Sequence, residues 1–204
     1  MTDDDYLEIQ RRARAESVEF FRASNKPERE RWVVREFLTN LRLEFADTEL
    51  QVPNQDPPDV KFREANFEIK EILSTGRRRH QEYKDGLQRA LGAESPSDLV
   101  QTYTPRDAAV FDVCARIYNE AKTLAEMKYA TDTRKALDLL FYVNITDVMG
   151  LRETPFPDLA PIDRLGFRSV SFLMHFWSCT LSAAADAPSF LRSGLKYIWH
   201  RNVG

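Results

Sequence analysis

The segment Val52-Pro53-Asn54-Gln55-Asp56-Pro57-Pro58 constrains the fold more than any other stretch of the chain. Each proline removes a backbone donor and pushes the residue before it toward extended geometry, so no helix passes through. The chain before it is helical in pattern. Residues 6–22 set Leu7, Ala13, Val18 and Phe21 among many charges, as an amphipathic surface helix does. After a break at Asn25-Lys26-Pro27 a second helix starts, with Glu28 and Glu30 suited to its N-terminal end, and Val33, Phe37 and Leu41 recur at i, i+4 through Phe45. Beyond the prolines the pattern alternates instead. Val60 and Phe62 exchange places with Lys61 and Arg63, and Phe67 and Ile69 with Glu68 and Lys70, which predicts two short strands joined by a turn within residues 63–66.

Residues 77–91 return to helical character after Gly76, and Ser95-Pro96-Ser97 makes a loop. Thr104-Pro105-Arg106-Asp107 offers a capping residue, a proline at the first helical position and an acid three residues after the cap, which predicts a long helix from there toward Tyr129. The run Leu139-Leu140-Phe141-Tyr142-Val143 suits a strand covered on both faces. Pro155, Pro157 and Pro161 make the next part irregular, residues 168–174 read as a further strand, and Asp186-Ala187-Pro188 opens a terminal helix. This order predicts an α/β or α+β fold, a mixed sheet flanked by helices. A length of 204 residues with 43% hydrophobic content suits a single domain, with a core over about residues 27–145, a helix at 1–24 and a tail at 146–204 packed on it.

A formal charge of −3 and a pI near 5.7 exclude binding of nucleic acid through bulk positive charge, so any phosphate-binding surface must be local. Cys114 and Cys179 form no CxxC pair, and the acidic start Met1-Thr2-Asp3-Asp4-Asp5 lacks the charge pattern of a signal peptide, so a reducing cytoplasm is the expected setting. Residues 170–185 are strongly apolar, but polar residues interrupt them and they are shorter than a membrane span. They read as core, with a homodimer interface as the other identity. Trp177 and Trp199 likewise read as core or interface aromatics.

GxGxxG, the P-loop, HExxH and GxSxG are all absent, and His80, His175 and His200 stand far apart in unlike contexts. What remains is Pro58-Asp59, followed after eight residues by Glu68-Ile69-Lys70. Phosphodiester hydrolysis needs hard oxygen ligands for a divalent cation and a positive group near the attacking water and the charged phosphorane. An alternating strand puts Glu68 and Lys70 on one face, and a turn centred on Arg63-Glu64 brings Asp59 across from Glu68. Such carboxylates repel one another without metal, so neutralising one should raise stability. The other ExK strings, Glu82-Tyr83-Lys84, Glu120-Ala121-Lys122 and Glu126-Met127-Lys128, fall on predicted helices, where i and i+2 do not face each other, and read as solvated surface.

A helix with a glutamate, a strand, Pro-Asp at a second strand, Glu-x-Lys on a third, a helix and a buried fourth strand is an order that resembles the PD-(D/E)xK nuclease superfamily. The whole chain resembles a small family of bacterial proteins described as endonucleases. The resemblance implies a restriction-endonuclease-like fold and Mg²⁺, or Mn²⁺ in its place, bound by Asp59 and Glu68 with the Ile69 carbonyl. It implies that Lys70 positions or activates water, and that a helix glutamate supplements the site. Glu36, beside Trp32 and Val33, is the residue that best suits that role. The implied reaction is in-line attack of a metal-bound water on nucleic acid, with DNA the first expectation. Arg77, Arg78, Arg79 and His80, joined by Lys61 and Arg63, are then candidate phosphate contacts. The alternative is a non-catalytic nucleic-acid-binding or regulatory protein that kept the fold, supported by the acidic charge and by Glu71 next to the motif.

Overall fold

The computed structural model describes residues 1–102 and 104–201. Helices α1 (Asp3–Phe20) and α2 (Lys26–Asn40) precede the proline-rich segment, and a hairpin of β1 (Val60–Phe62) and β2 (Ala65–Leu73) comes after it. Next come α3 (Arg79–Gly92), β3 (Arg106–Ala109), α4 (Val110–Met127) and the short α5 (Thr131–Arg134). The remainder is β4 (Asp138–Asn144), β5 (Val148–Arg152), the short α6 (Ala160–Asp163), β6 (Ser169–Met174), β7 (Trp177–Ala183), α7 (Ser189–Ser193) and β8 (Trp199–His200). The described chain falls into two compact units, one made of Met1–Arg29 and Thr75–Thr104, the other of Glu30–Ser74 and the described residues from Pro105 onward.

The first unit pairs α1 with α3. Thr2 and Asp5 form a reciprocal capping box at the start of α1, satisfying two of its free N–H groups. Arg11 donates to the carbonyls of Ala90 and Ala93, each at 3.0 Å, and so satisfies acceptors at the end of α3. Gly86 lies under the Arg14 side chain, whose guanidinium would be 3.0 Å from an added Cβ. Phe21 stacks on Tyr83 with centroids 4.5 Å apart.

The second unit is built on a six-stranded sheet in the order β1-β2-β4-β6-β7-β8. Strands β2, β4 and β6 run parallel, and the remaining pairings are antiparallel, so the sheet is mixed. β4 has parallel neighbours on both sides and is buried on both faces, which is why its sequence is almost continuously apolar. Alternation along β2 divides its side chains. Phe67 and Ile69 pack with Val33, Val34, Phe37 and Leu38 of α2 and with Leu191 of α7. Ile72 packs with Leu139, Phe141 and Val143 and with Val113, Ile117 and Ala121 of α4 on the other face. Burial of each such side chain is worth about 1.5–3 kcal/mol. Among the described residues no helix is long and apolar enough to cross a membrane.

Three local expectations change. The expected helix start at Thr104-Pro105 is instead the approach to β3, which pairs in parallel with β5, and α4 begins only at Val110. A capping signature is local, and it yields here to a non-local partner: the Arg106 N–H donates to the Asp147 carbonyl at 2.8 Å, and Gly150 leaves room for Asp107, whose Oδ1 would lie 2.4 Å from an added Cβ. Helix α2 ends at Asn40 rather than Phe45 in a Schellman motif, with Arg42 at φ 58°, the Leu43 N–H on the Leu38 carbonyl and the Arg42 N–H on the Thr39 carbonyl. The strand that the resemblance implies ahead of Pro-Asp is reduced to a single bridge, Gln51 to Lys61. The apolar stretch at 170–185 is largely buried, as expected, and is folded as a hairpin of β6 and β7 turning at His175, φ 50°.

Candidate functional site

Asp59, Glu68 and Lys70 are assembled by the β1–β2 hairpin and the pleat of β2. The register pairs Val60 with Phe67, Lys61 with Asn66 and Phe62 with Ala65, and just beyond it the Asp59 N–H donates to the Phe67 carbonyl at 3.0 Å. Asp59 lies just outside β1, and its Oδ2 accepts the Ile69 N–H at 2.9 Å, so the carboxylate stands where a ladder carbonyl would otherwise be. Glu68 is fully buried and Asp59 is 8% exposed. On the same face as Glu68, the Lys70 ammonium donates to Glu68 Oε1 at 2.5 Å.

Two residues from the turn after α4 complete the surroundings of Glu68. The Tyr129 hydroxyl donates to Oε1, and the Lys128 ammonium lies 3.4 Å from the same oxygen. The other oxygen, Oε2, is buried with no hydrogen-bond partner among the described residues. Burial by itself pushes the Glu68 carboxyl upward, but hydrogen bonds from Lys70 and Tyr129, with the charges of Lys70 and Lys128, outweigh it and hold the group below the ordinary glutamate range. Burial, the bond to Glu68 and the charges of Glu68, Asp56 and Asp59 all drive the Tyr129 phenol upward, so it stays a donor.

Asp56 joins the two expected acids: one carboxylate oxygen each from Asp56, Asp59 and Glu68 lies within 4.8 Å of the others. This set fits a divalent cation. A buried carboxylate oxygen is costly unless a hydrogen-bond donor or a cation completes it, and three hard oxygen donors suit Mg²⁺ or Mn²⁺.

The other expected residues lie elsewhere. Glu36 belongs to α2, whose buried stripe covers the Phe67–Ile69 face, and its carboxylate pairs with Arg201 at 2.9 Å; it is not part of the acid group. The buried glutamate of α2 is Glu30. Glu71 accepts from Asn144 at 2.9 Å, and the pleat turns it to the face opposite Glu68 and Lys70. Ile69 engages Asp59 through its amide. Arg63 is bound to Glu49 and to the Glu44 carbonyl, each at 2.9 Å, and Lys61 is exposed. In the first unit, Arg77 pairs with Glu82, Arg79 covers the Phe21 ring at 4.3 Å, and Arg78 and His80 are exposed.

Asp56, Lys128 and Tyr129 escaped sequence reasoning. Asp56 carried a signal, standing three residues before Asp59 in the same proline-rich segment. Lys128 belongs to the Glu126-Met127-Lys128 string read as helix surface, but α4 ends at Met127 and Lys128 has already turned off the helix.

A mixed sheet flanked by helices, with acids and a lysine gathered beside an antiparallel edge hairpin, defines the class of architecture. The chain belongs to the family described as "Putative endonuclease, protein of unknown function (DUF1780)", whose model matches residues 2–204. No curated protein matches it. It is similar in structure, with a TM-score of 0.67 and 26% identity over 100% of this chain and 98% of the other, to a protein from Pseudomonas aeruginosa strain PAO1 described as of unknown function and of the monooxygenase superfamily.

Proposed function

We propose that the chain is a divalent-metal-dependent nuclease of the PD-(D/E)xK kind, hydrolysing a phosphodiester of nucleic acid, with DNA the first substrate to test. The observation that carries this reading is the fully buried Glu68, which has one unpartnered oxygen and belongs to a three-acid group beside Lys70. Asp56, Asp59 and Glu68 would hold the cation. Once bound, it would polarise a phosphoryl oxygen and make a nearby water more acidic. Lys70 supplies the positive charge that orients the attacking water and offsets the charge growing on the phosphorane. Charge balance supports the substrate class. Three carboxylates against the two ammoniums of Lys70 and Lys128 leave one negative charge, and a divalent cation converts that to one positive, the complement of a phosphodiester monoanion.

The donor set favours this reading over non-haem iron oxygenase chemistry. Hard carboxylate donors suit Mg²⁺ and Mn²⁺, whereas non-haem iron oxygenases use two histidines with one carboxylate. The non-catalytic alternative loses its local support, since Glu71 faces away from the site.

The test is incubation of the full chain with single- and double-stranded DNA and RNA, with and without Mg²⁺ or Mn²⁺, beside Lys70→Ala and Glu68→Gln. Cleavage that requires metal and is absent from both variants is expected. Cleavage without metal, or retained by both variants, would refute the reading.

A further inference from the structure

The turn after α4 is fastened at several points before it reaches Glu68. The N–H groups of Lys128 and Tyr129 both return to the Leu124 carbonyl, at 3.0 and 2.9 Å. Arg134 donates to the carbonyls of Ala125 and Tyr129, at 2.7 and 2.8 Å, from the next helical turn. Phe167 meets the Tyr129 ring edge-on, with centroids 6.4 Å apart, and only 6% of Tyr129 is exposed. Backbone, ring and hydroxyl are therefore all held, and the single proton of the hydroxyl goes to Oε1 of Glu68.

Lys128 touches the same oxygen differently. Its ammonium is 3.4 Å away and its side chain is 46% exposed. A half-exposed ammonium on a flexible stem supplies charge, whereas a buried phenol with a fixed ring supplies direction. Direction matters because the terminal torsion of a glutamate is broad, and a carboxylate free to turn would exchange its two oxygens. Here Oε1 is taken and Oε2 is left without a partner.

We propose that Tyr129 is the positioning residue of this centre: its hydroxyl fixes Oε1 of Glu68 and so presents Oε2 to the divalent cation. The inference rests on the metal-dependent reading above. It assigns Tyr129 no contact with substrate and no part in proton transfer. Its effect is on cation affinity through the orientation of one ligand.

The experiment is calorimetric titration of Mn²⁺ into the full chain, comparing wild type, Tyr129→Phe and Lys128→Met in the absence of substrate. Phenylalanine keeps the ring against Phe167 and removes only the donor, so near-ultraviolet circular dichroism should be preserved. Loss of a hydrogen bond to a metal ligand typically weakens binding about 10- to 100-fold, and that is the expected loss for Tyr129→Phe. Lys128→Met removes a competing cation, so its affinity should equal or exceed that of wild type. Affinity of Tyr129→Phe within about twofold of wild type, or an equal loss in Lys128→Met, would overturn the inference and leave the metal reading standing. A wild type that binds no Mn²⁺ would overturn both. Should Tyr129→Phe fail to fold, the wild-type ultraviolet difference spectrum decides: Mn²⁺ should perturb a tyrosine band, and a flat spectrum overturns the inference.

Discussion

Glu68 and Asp138 are both fully buried carboxylates, on adjacent strands of the same sheet, yet their surroundings differ in kind. Asp138 is closed. Its Oδ1 accepts from Arg168 Nε at 3.1 Å and Ser169 Oγ at 2.8 Å, and its Oδ2 from the Asn66 N–H at 2.8 Å and from Arg168 Nη2. Those donors come from the starts of β2 and β6 and the residue preceding β6, so the acid ties three strands at one end of the sheet. Glu68 is lopsided, with its donors crowded on Oε1 and none on Oε2. A buried acid whose acceptors are all satisfied belongs to the architecture, and one left half-satisfied beside other acids has an acceptor free for a further donor or cation.

The largest effect expected from this contrast is on stability. Asp138→Ala leaves the partly buried Arg168 without its acid and should cost about 3–5 kcal/mol in urea unfolding, whereas Glu68→Gln should cost under about 2 kcal/mol because its hydrogen bonds can be partly retained. Equal losses would erase the distinction between the two acids. On activity, Lys70→Ala should reduce nuclease turnover by about a thousandfold, while Asp138→Asn, provided it folds, should leave turnover within about tenfold of wild type.

Metal response separates the acids next. Mn²⁺ at about a hundred times its dissociation constant should stabilise the wild type by about 2.7 kcal/mol, and this gain should vanish in Glu68→Gln and persist in Asp138→Asn, as read by melting scans. Sequence alone suggests that neutralising any acid of the cluster raises apo stability. With Lys70 and Lys128 already facing Glu68, that gain is now expected only for Asp59→Asn, on the order of 1 kcal/mol.

Acid pH gives a finer measure. The folded Glu68 carboxyl sits below its ordinary value of 4.5, so its contribution to stability is complete above that value and is lost as pH falls through the folded pKa. The stability difference between wild type and Glu68→Gln should therefore shrink as the buffer is taken from about pH 6 to pH 3. A constant difference would mean that Glu68 is not held in its charged form. The smallest effect belongs to the exposed Arg78, where Arg78→Gln should lower the slope of log affinity against log salt by about one if that side chain contacts a phosphate.

Features set by neighbouring residues were legible in the sequence. The proline block, the alternation of Val60, Phe62, Phe67 and Ile69, and the apolar run of β4 specify the hairpin and the central strand, because pleat and burial act residue by residue. That Asp59 comes close to Glu68 follows from turn position alone. Features set by distant partners were not legible. Nothing near Thr104-Pro105 reveals that residues 148–152 will claim Arg106 for a strand, and nothing near Glu36 reveals that α2 covers the face of the sheet away from Glu68. Tyr129 lies 61 positions from the acid it touches, so only the tertiary fold brings the two together.

The bond between the Ile69 amide and Asp59 makes one backbone proton an internal gauge of the site. Ordinary ladder hydrogen bonds join main chain to main chain and report the opening of strands, whereas this one opens whenever a single carboxylate swings away. Isotope exchange at Ile69, compared with its neighbours along β2, would register how tightly Asp59 is held at each metal concentration, without substrate, product or an added label.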